Sequence, residues 1–231
     1  NTRAILAQVK KPHRYIGGEA GSLAKSWDDA ACRICLIFPD VYEIGTSNVG
    51  LSILYDILNA RDGVLAERAF TPWMDMEQAL LENDEPLYSL ESKRSLSEFD
   101  ILGFSLAYEL NYTNILTVLK LSGVPLRSAD RSESHPIVIA GGVCSYNPMP
   151  VAPFFDAIAI GDGEDVVLYI TDIVREFKKR GLSRSDIIAE LSKIEGVFVP
   201  SQGEKRHVGR QVVSSLDDTR FPRRPIIPYE S

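Results

Sequence analysis

The residues of this 231-residue chain that could do chemistry are three cysteines, three histidines and a set of glycines that follow apolar runs. Cys32-Arg33-Ile34-Cys35 has the Cys-x-x-Cys spacing of redox and metal motifs. It lies at the start of an apolar run, Arg33 to Phe38, that reads as a strand, where residues three apart face opposite sides of a sheet. Two thiolates so placed cannot share one metal ion. Cys144 follows Gly141-Gly142 and reads either as a small loop hydrophobe or as a ligand contact. His13, His135 and His207 show no ligand spacing, and no nucleophile–base set is visible. Asp75 and Glu77 fall on a predicted surface helix and read as a solvated face. No catalytic residue and no metal ligand is therefore assigned, and a self-sufficient active site is not expected.

The glycines carry more. Four loops follow apolar runs: Asp40 to Asn48, Ala107 to Asn111, Gly141 to Asn147 and Gly161 to Glu164. The candidate cofactor-binding residues are Tyr42, Gly45, Ser105, Tyr108, Gly141, Gly142, Val143, Gly161, Asp162, Gly163 and Glu164. Glycine lets backbone approach a broad ligand closely, although a tight strand-to-helix turn asks for the same residue. If the φ of Gly142 is negative, a bulky residue there should block a ligand and leave the fold intact. Gly161-Asp162-Gly163-Glu164 opens a predicted helix, where the acidic residues suit the dipole and argue against a phosphate at that spot. It is not a Gly-x-Gly-x-x-Gly fingerprint, and no Walker lysine follows.

These loops need elements to hold them. Apolar runs at Arg33–Phe38, Val64–Phe70, Asp100–Leu106, Pro136–Ala140 and Ala157–Ile160 read as strands buried on both faces. Leu87 to Leu90 is a candidate edge strand. Helical spacing is read at Val49–Asn59, with Ser47 or Asn48 as cap, and at Trp73–Glu82, with Met76, Leu80 and Leu81 inward. It recurs at Asn111–Leu121 and Glu164–Arg180. The alternation predicts an α/β fold, a flavodoxin-like doubly wound five-stranded parallel sheet in the order 2-1-3-4-5. Ligands of such sheets lie beyond the strand carboxyl ends where the order reverses, here between the first and third strands. Residues 1–31 read as an irregular strap, 32–181 as the sheet domain and 182–231 as a small α+β appendage. That appendage holds a short helix capped by Ser183 or Ser185. A β-hairpin follows, built from Gly196–Val199 and Val208–Val213, and then a proline-bearing linker.

Hydrophobic residues make up 45% and charged residues 25%, so a packed core is expected rather than disorder. A net charge of −7 does not suit a nucleic-acid partner. Lys205, Arg206, Arg210, Arg220, Arg223 and Arg224 make the carboxyl end locally basic, which reads as a surface that docks a neighbouring domain. The odd cysteine count implies no disulfide framework. No apolar run reaches membrane-span length and no signal peptide is visible, so a cytoplasmic location is expected. The chain starts at Asn1 rather than Met, as a trimmed chain would.

Four segments resemble one family. Asn48-Val49-Gly50-Leu51-Ser52-Ile53-Leu54-Tyr55 is similar to the "Leu-Gly-Leu-x-x-Leu" helix of the cobalamin-binding domain in radical S-adenosylmethionine (radical SAM) proteins. Asp100 to Ser105 resembles its "Asp-x-x-Gly-x-Ser" strand, and Ile139 to Gly142 its "Gly-Gly" loop. Phe155-Asp156 with Gly161 to Glu164 resembles its "Phe-Asp … Gly-Glu-Gly-Glu" ending. Order and spacing match over residues 33 to 180. Arg14 to Glu19, Phe38 to Glu43 and Ala66 to Met76 resemble an uncharacterised subfamily in which this domain precedes a radical SAM barrel. The resemblance implies cobalamin as the cofactor here, and the barrel of the same polypeptide as partner. It places a four-iron, four-sulfur (4Fe–4S) cluster and S-adenosylmethionine in that barrel, so this chain alone would be inactive. The cluster motif Cys-x3-Cys-x2-Cys is not in this sequence and would be expected after Ser231. Methyltransferase-type relatives carry a cobalt-ligating His where this chain has Tyr42, a poor cobalt ligand. Two alternatives stay open: a degenerate domain that docks without cofactor, and a flavin or nucleotide binder.

Overall fold

The computed structural model describes residues 2–203, 208–215, 220–222 and 225–229. A short helix α1 (Thr2–Leu6) opens the segment that was expected to be irregular. β1 (Cys32–Phe38) leads through a one-turn helix α2 (Tyr42–Gly45) into α3 (Val49–Asn59). β2 (Val64–Phe70), α4 (Met74–Glu82), β3 (Ile101–Ser105) and α5 (Tyr112–Leu121) follow. β4 (Ile137–Gly141) and β5 (Ala157–Ala159) then precede the long helix α6 (Glu164–Lys179). α7 (Arg184–Leu191) and β6 (Val197–Phe198) complete the order.

The sheet has six strands in the order β2-β1-β3-β4-β5-β6. β1 to β5 are mutually parallel, and β6 runs antiparallel to β5, pairing Ile158 with Phe198. The expected five strands thus become six. The expected hairpin is also corrected, because Val197–Phe198 pairs with β5 instead of with 208–213. An uncovered β5 would present a row of unpaired backbone groups, and the sheet edge captures what is near. Ile160 N donates to Gly196 O (2.7 Å), and Gln211 N donates to Ile160 O (2.8 Å). Residues 204–207, which include the expected hairpin turn, Lys205, Arg206 and His207, lie outside the described residues, as do Arg223 and Arg224. The candidate edge strand at Leu87–Leu90 reduces to one bridge between Tyr88 and Ser95.

Strand alternation splits the core in two. Cys35 and Ile37 face a layer with α4, α5 and the buried strap residues Ile5, Val9 and Tyr15. Cys32, Ile34, Leu36 and Phe38 face a layer with α3, α6 and α7. The two cysteines therefore point to opposite layers. Burial pushes Cys35 well up, and burial with Asp100 nearby pushes Cys32 up to about 12. The helices start where capping predicts: the Asn48 side chain accepts Leu51 N (2.8 Å), and Ser183 with Asp186 forms a capping box. On α4 the inward residues are Met76, Ala79 and Leu80, whereas Leu81, expected inside, is 53% exposed. Among the described residues no helix is long and apolar enough to cross a membrane.

Charge is also buried. Asp156, fully buried just before β5, accepts Val138 N (2.6 Å) and Arg131 Nη1 (3.3 Å) and pairs with Arg184 and Ser128. The remaining guanidinium donors meet carbonyls, as in Arg184 Nη1 to His135 O (2.9 Å) and Pro136 O (2.8 Å). One carboxylate thus serves two arginines and ties α7 to the amino-terminal edge of the sheet. Asp156→Ala leaves both guanidinium groups short of their counter-charge, and stability should fall by about 3–5 kcal/mol in urea denaturation; a loss under about 1 kcal/mol would contradict this role. A second expectation concerns Lys93, which sits at φ +61° with Nζ donating to Leu90 O. Burial lowers its ammonium to about 8. The folded pKa lies below the unfolded value of about 10.4, so the unfolded chain holds the extra proton between them. The cost of this group is complete below pH 8 and disappears as pH rises through that window. The urea midpoint of Lys93→Met should exceed that of the parent by more at pH 7 than at pH 10.

Candidate functional site

A cavity of about 270 Å³ opens at the carboxyl ends of β1, β3 and β4, on the face covered by α3 and α6. Its floor exists because β3 carries a glycine in its centre. Gly103 lies in register with Leu36 on one side and Ile139 on the other, and the missing side chain leaves a trough between them. A Cβ at Gly103 would make ordinary contacts with the side chains of Ile34 and Leu36, both at 3.6 Å, and of Ile139 at 3.8 Å. Leu54 of α3 and Val166, Val167 and Ile170 of α6 form the walls. The lining is mostly apolar. Ser105 and Glu164 bring polar groups to it, and neither side chain has a hydrogen-bond partner among the described residues.

The structure brings seven of the eleven sequence-derived candidates to this cavity: Ser105, Gly141, Gly142, Val143, Gly161, Gly163 and Glu164. Tyr108 and Asp162 stand beside it. The Tyr108 hydroxyl donates to Asp40, joining the loops after β3 and β1 across the point where strand order reverses. Asp162 accepts Val213 N (2.8 Å) and so holds the segment after residue 208. Tyr42 and Gly45 are elsewhere. Tyr42 is 2% exposed, packs edge-on to Phe70 and donates its hydroxyl to Glu19 Oε1 (3.1 Å). A Cβ at Gly45 would lie 2.3 Å from the Phe70 ring, so this glycine serves close packing.

Gly142 has φ +109°, and its Cβ would approach Leu106 O to 2.9 Å. The negative φ needed for a fold-neutral bulky replacement is not met, so the turn itself demands glycine. Cys144 lies on the other face of the sheet, packed against the α4–α5 layer, where burial and the nearby Glu109 raise its pKa. Of the histidines, His13 sits edge-on to Tyr42, and His135 bonds Ser132 before β4, away from the cavity. Gly103, Leu54 and Ile170 are among the lining residues that the reading of the sequence did not name as candidates. A lone glycine inside a strand was the available signal, since it marks close approach by something else.

The rim is apolar and open. Leu110 is 86% and Val143 75% exposed, and Ile44, Val49, Tyr146 and Met149 are also exposed in the segments that follow β1 and β4.

Residues 50–200, more than half of the chain, match the family described as radical SAM proteins, N-terminal. The chain is also similar to an uncharacterized protein of Methanocaldococcus jannaschii, with 27% identity over 153 residues. That alignment covers 65% of this chain and 28% of the relative, so the chain spans less than a third of the relative's length. No solved structure matches.

The glycine geometry predicts unequal effects at neighbouring positions. Gly142→Ala should cost about 1–3 kcal/mol, because its φ is left-handed and its Cβ meets backbone. Gly141→Ala, whose Cβ meets Ala159 at 3.7 Å, should stay within about 0.5 kcal/mol. Equal thermal melts for the two variants would contradict this.

Proposed function

The chain belongs to the N-terminal family of radical SAM proteins, and from that premise we propose that it is an accessory domain that binds a cobalamin-type cofactor beside the radical machinery. The observation that carries the reading is the apolar, glycine-floored cavity at the carboxyl ends of β1, β3 and β4. Its residues fit part of such a ligand. The trough over Gly103 takes a flat apolar arm, and Gly141 and Gly163 bring no side chain to the mouth, whereas the space beside Gly161 is filled by the Gln211 backbone. Ser105 and Glu164 are placed to accept hydrogen bonds from the ligand's hydroxyl or amide donors. When bound, a corrinoid supplies a cobalt centre for group or electron transfer. The chain's residues orient the ligand and exclude water from its buried arm. The Tyr42 hydroxyl is engaged with Glu19 and is not offered to cobalt.

The rest of the protein would carry the 4Fe–4S cluster and S-adenosylmethionine and perform the reaction. Its radical SAM barrel would dock on the rim formed by Leu110, Val143, Tyr146 and Met149, which supports a position of the cavity over the barrel mouth. The same exposed rim favours a second reading, in which the domain docks without any cofactor.

Incubation with cobalamin should shift its absorption spectrum and give saturable heat in calorimetry. Gly103→Leu fills the trough from a strand position that tolerates a side chain, and should weaken binding about tenfold or more with circular dichroism unchanged. No spectral shift and no heat with the parent chain would reject cobalamin and leave the docking reading. Anaerobic reconstitution of the chain should yield no stoichiometric iron or sulfide, since a cluster takes four thiolates and two of the three cysteines are buried on opposite faces.

A further inference from the structure

The strap and the carboxyl-terminal segment meet in a bridge between Ala20 and Ile227, far apart in sequence. β2 is the outer strand of the sheet, and its free edge is covered by the loop at 88–95: Leu90 N donates to Arg68 O (2.8 Å) and Arg68 N to Glu91 Oε2 (2.8 Å). The buried Arg68 guanidinium then binds two carboxylates, Glu91 through Nε (2.7 Å) and Glu19 of the strap through Nη2 (2.9 Å). Glu19 also accepts the Tyr42 hydroxyl, and the oxygen of that hydroxyl accepts Tyr229 N (3.1 Å). A buried ion pair is costly unless each of its groups is satisfied, so the chain of contacts from Arg68 to Tyr229 holds together or loosens together.

The backbone on both sides of Glu19 is built for contact. Gly17 has φ +59°, and its Cβ would fall 1.9 Å from Leu90 O; Gly21 has φ +91°, and its Cβ would fall 2.5 Å from Pro225 O. A side chain at Gly21 would occupy the place that the tail takes. The tail has the matching pattern. Ile227 N donates to Ala20 O (2.9 Å) and Tyr229 N to Tyr42, two residues apart as on a strand edge. Pro228, which has no N–H, falls between them. The Tyr229 hydroxyl donates back to Gly17 O (3.1 Å).

We propose that residues 17–21 and Tyr42 form a clasp that receives residues 225–229 as an added strand and fixes the path by which the chain crosses the β1 loop. The clasp is a positioning device. Tyr42 lies in the turn that leads to Asn48, the cap of a cavity wall, so the tail is held in fixed relation to the candidate site. The ligand of that site plays no part in the argument, and the clasp stands whether or not a cofactor binds.

Hydrogen exchange of the whole chain, read residue by residue, tests it in two variants. Gly21→Ala intrudes on Pro225 O, and Tyr42→Phe removes the shared hydroxyl. In both, the Ile227 and Tyr229 amides should exchange roughly tenfold faster or more, while amides of β3 and β4 keep their protection. Unchanged protection at Ile227 and Tyr229 in both variants would overturn the clasp. So would loss of protection across β3 and β4 in both, because the strap would then be part of the core and not a separable holder. If only Gly21→Ala unfolds the sheet, the Tyr42→Phe result decides.

Discussion

A parallel sheet buried on both faces is the constraint from which the rest of the molecule follows. Its strands cannot be joined by tight turns, so each crossover must climb one face or the other, and each loop that leaves a strand falls on the same edge. In this chain the crossovers divide α3, α6 and α7 from α4 and α5, and β1 and β3 lie side by side where the direction of winding reverses. The loops after those strands diverge to opposite faces, and a gap opens between them. Gly103 widens that gap into a cavity by withholding a side chain from the middle of the sheet.

The periphery of such a sheet needs separate treatment, and the chain uses buried charge at the β2 edge and at the amino-terminal ends of β4 and β5. On the β2 side Arg68 gathers the covering loop and the strap through Glu91 and Glu19. Near the β5 side Asp156 gathers α7 and the loop before β4 through Arg184 and Arg131. In each case a segment that also packs apolar side chains into the core is held by ions that would be expensive to leave unpaired. These networks settle which peripheral segment covers which edge, while the apolar layers supply most of the stabilisation.

The site that results is a mostly apolar cavity into which Ser105 and Glu164 bring polar groups. Among the described residues no group of three or more His, Cys, Asp or Glu side chains is placed to hold a metal. Apolar lining, glycine at the mouth and an exposed hydrophobic rim are what a binding and docking domain requires. The chain belongs to the N-terminal family of radical SAM proteins.

What the sequence determined by itself was local and periodic. Continuous apolar runs marked the five parallel strands, 3.6-residue spacing marked the main helices, and of the paired cap candidates Ser47 or Asn48 and Ser183 or Ser185, Asn48 and Ser183 make the caps. The opposed facing of Cys32 and Cys35 also followed from strand period alone. Tertiary structure decided everything that depends on one segment meeting another. Whether Val197–Phe198 pairs with a following segment or with β5 turns on which backbone edge is free, and strand propensity does not record that. Tyr42 and Gly45 belong by sequence to the same loop set as Gly141, yet a one-turn helix aims them at Phe70 and Glu19 instead of at the cavity. Gly142 and Gly141 are identical in sequence terms and differ in φ and in what a Cβ would meet. The strap and the tail gave no sign of each other, because a contact made through a carbonyl, an amide and one buried hydroxyl leaves no periodic mark in either segment.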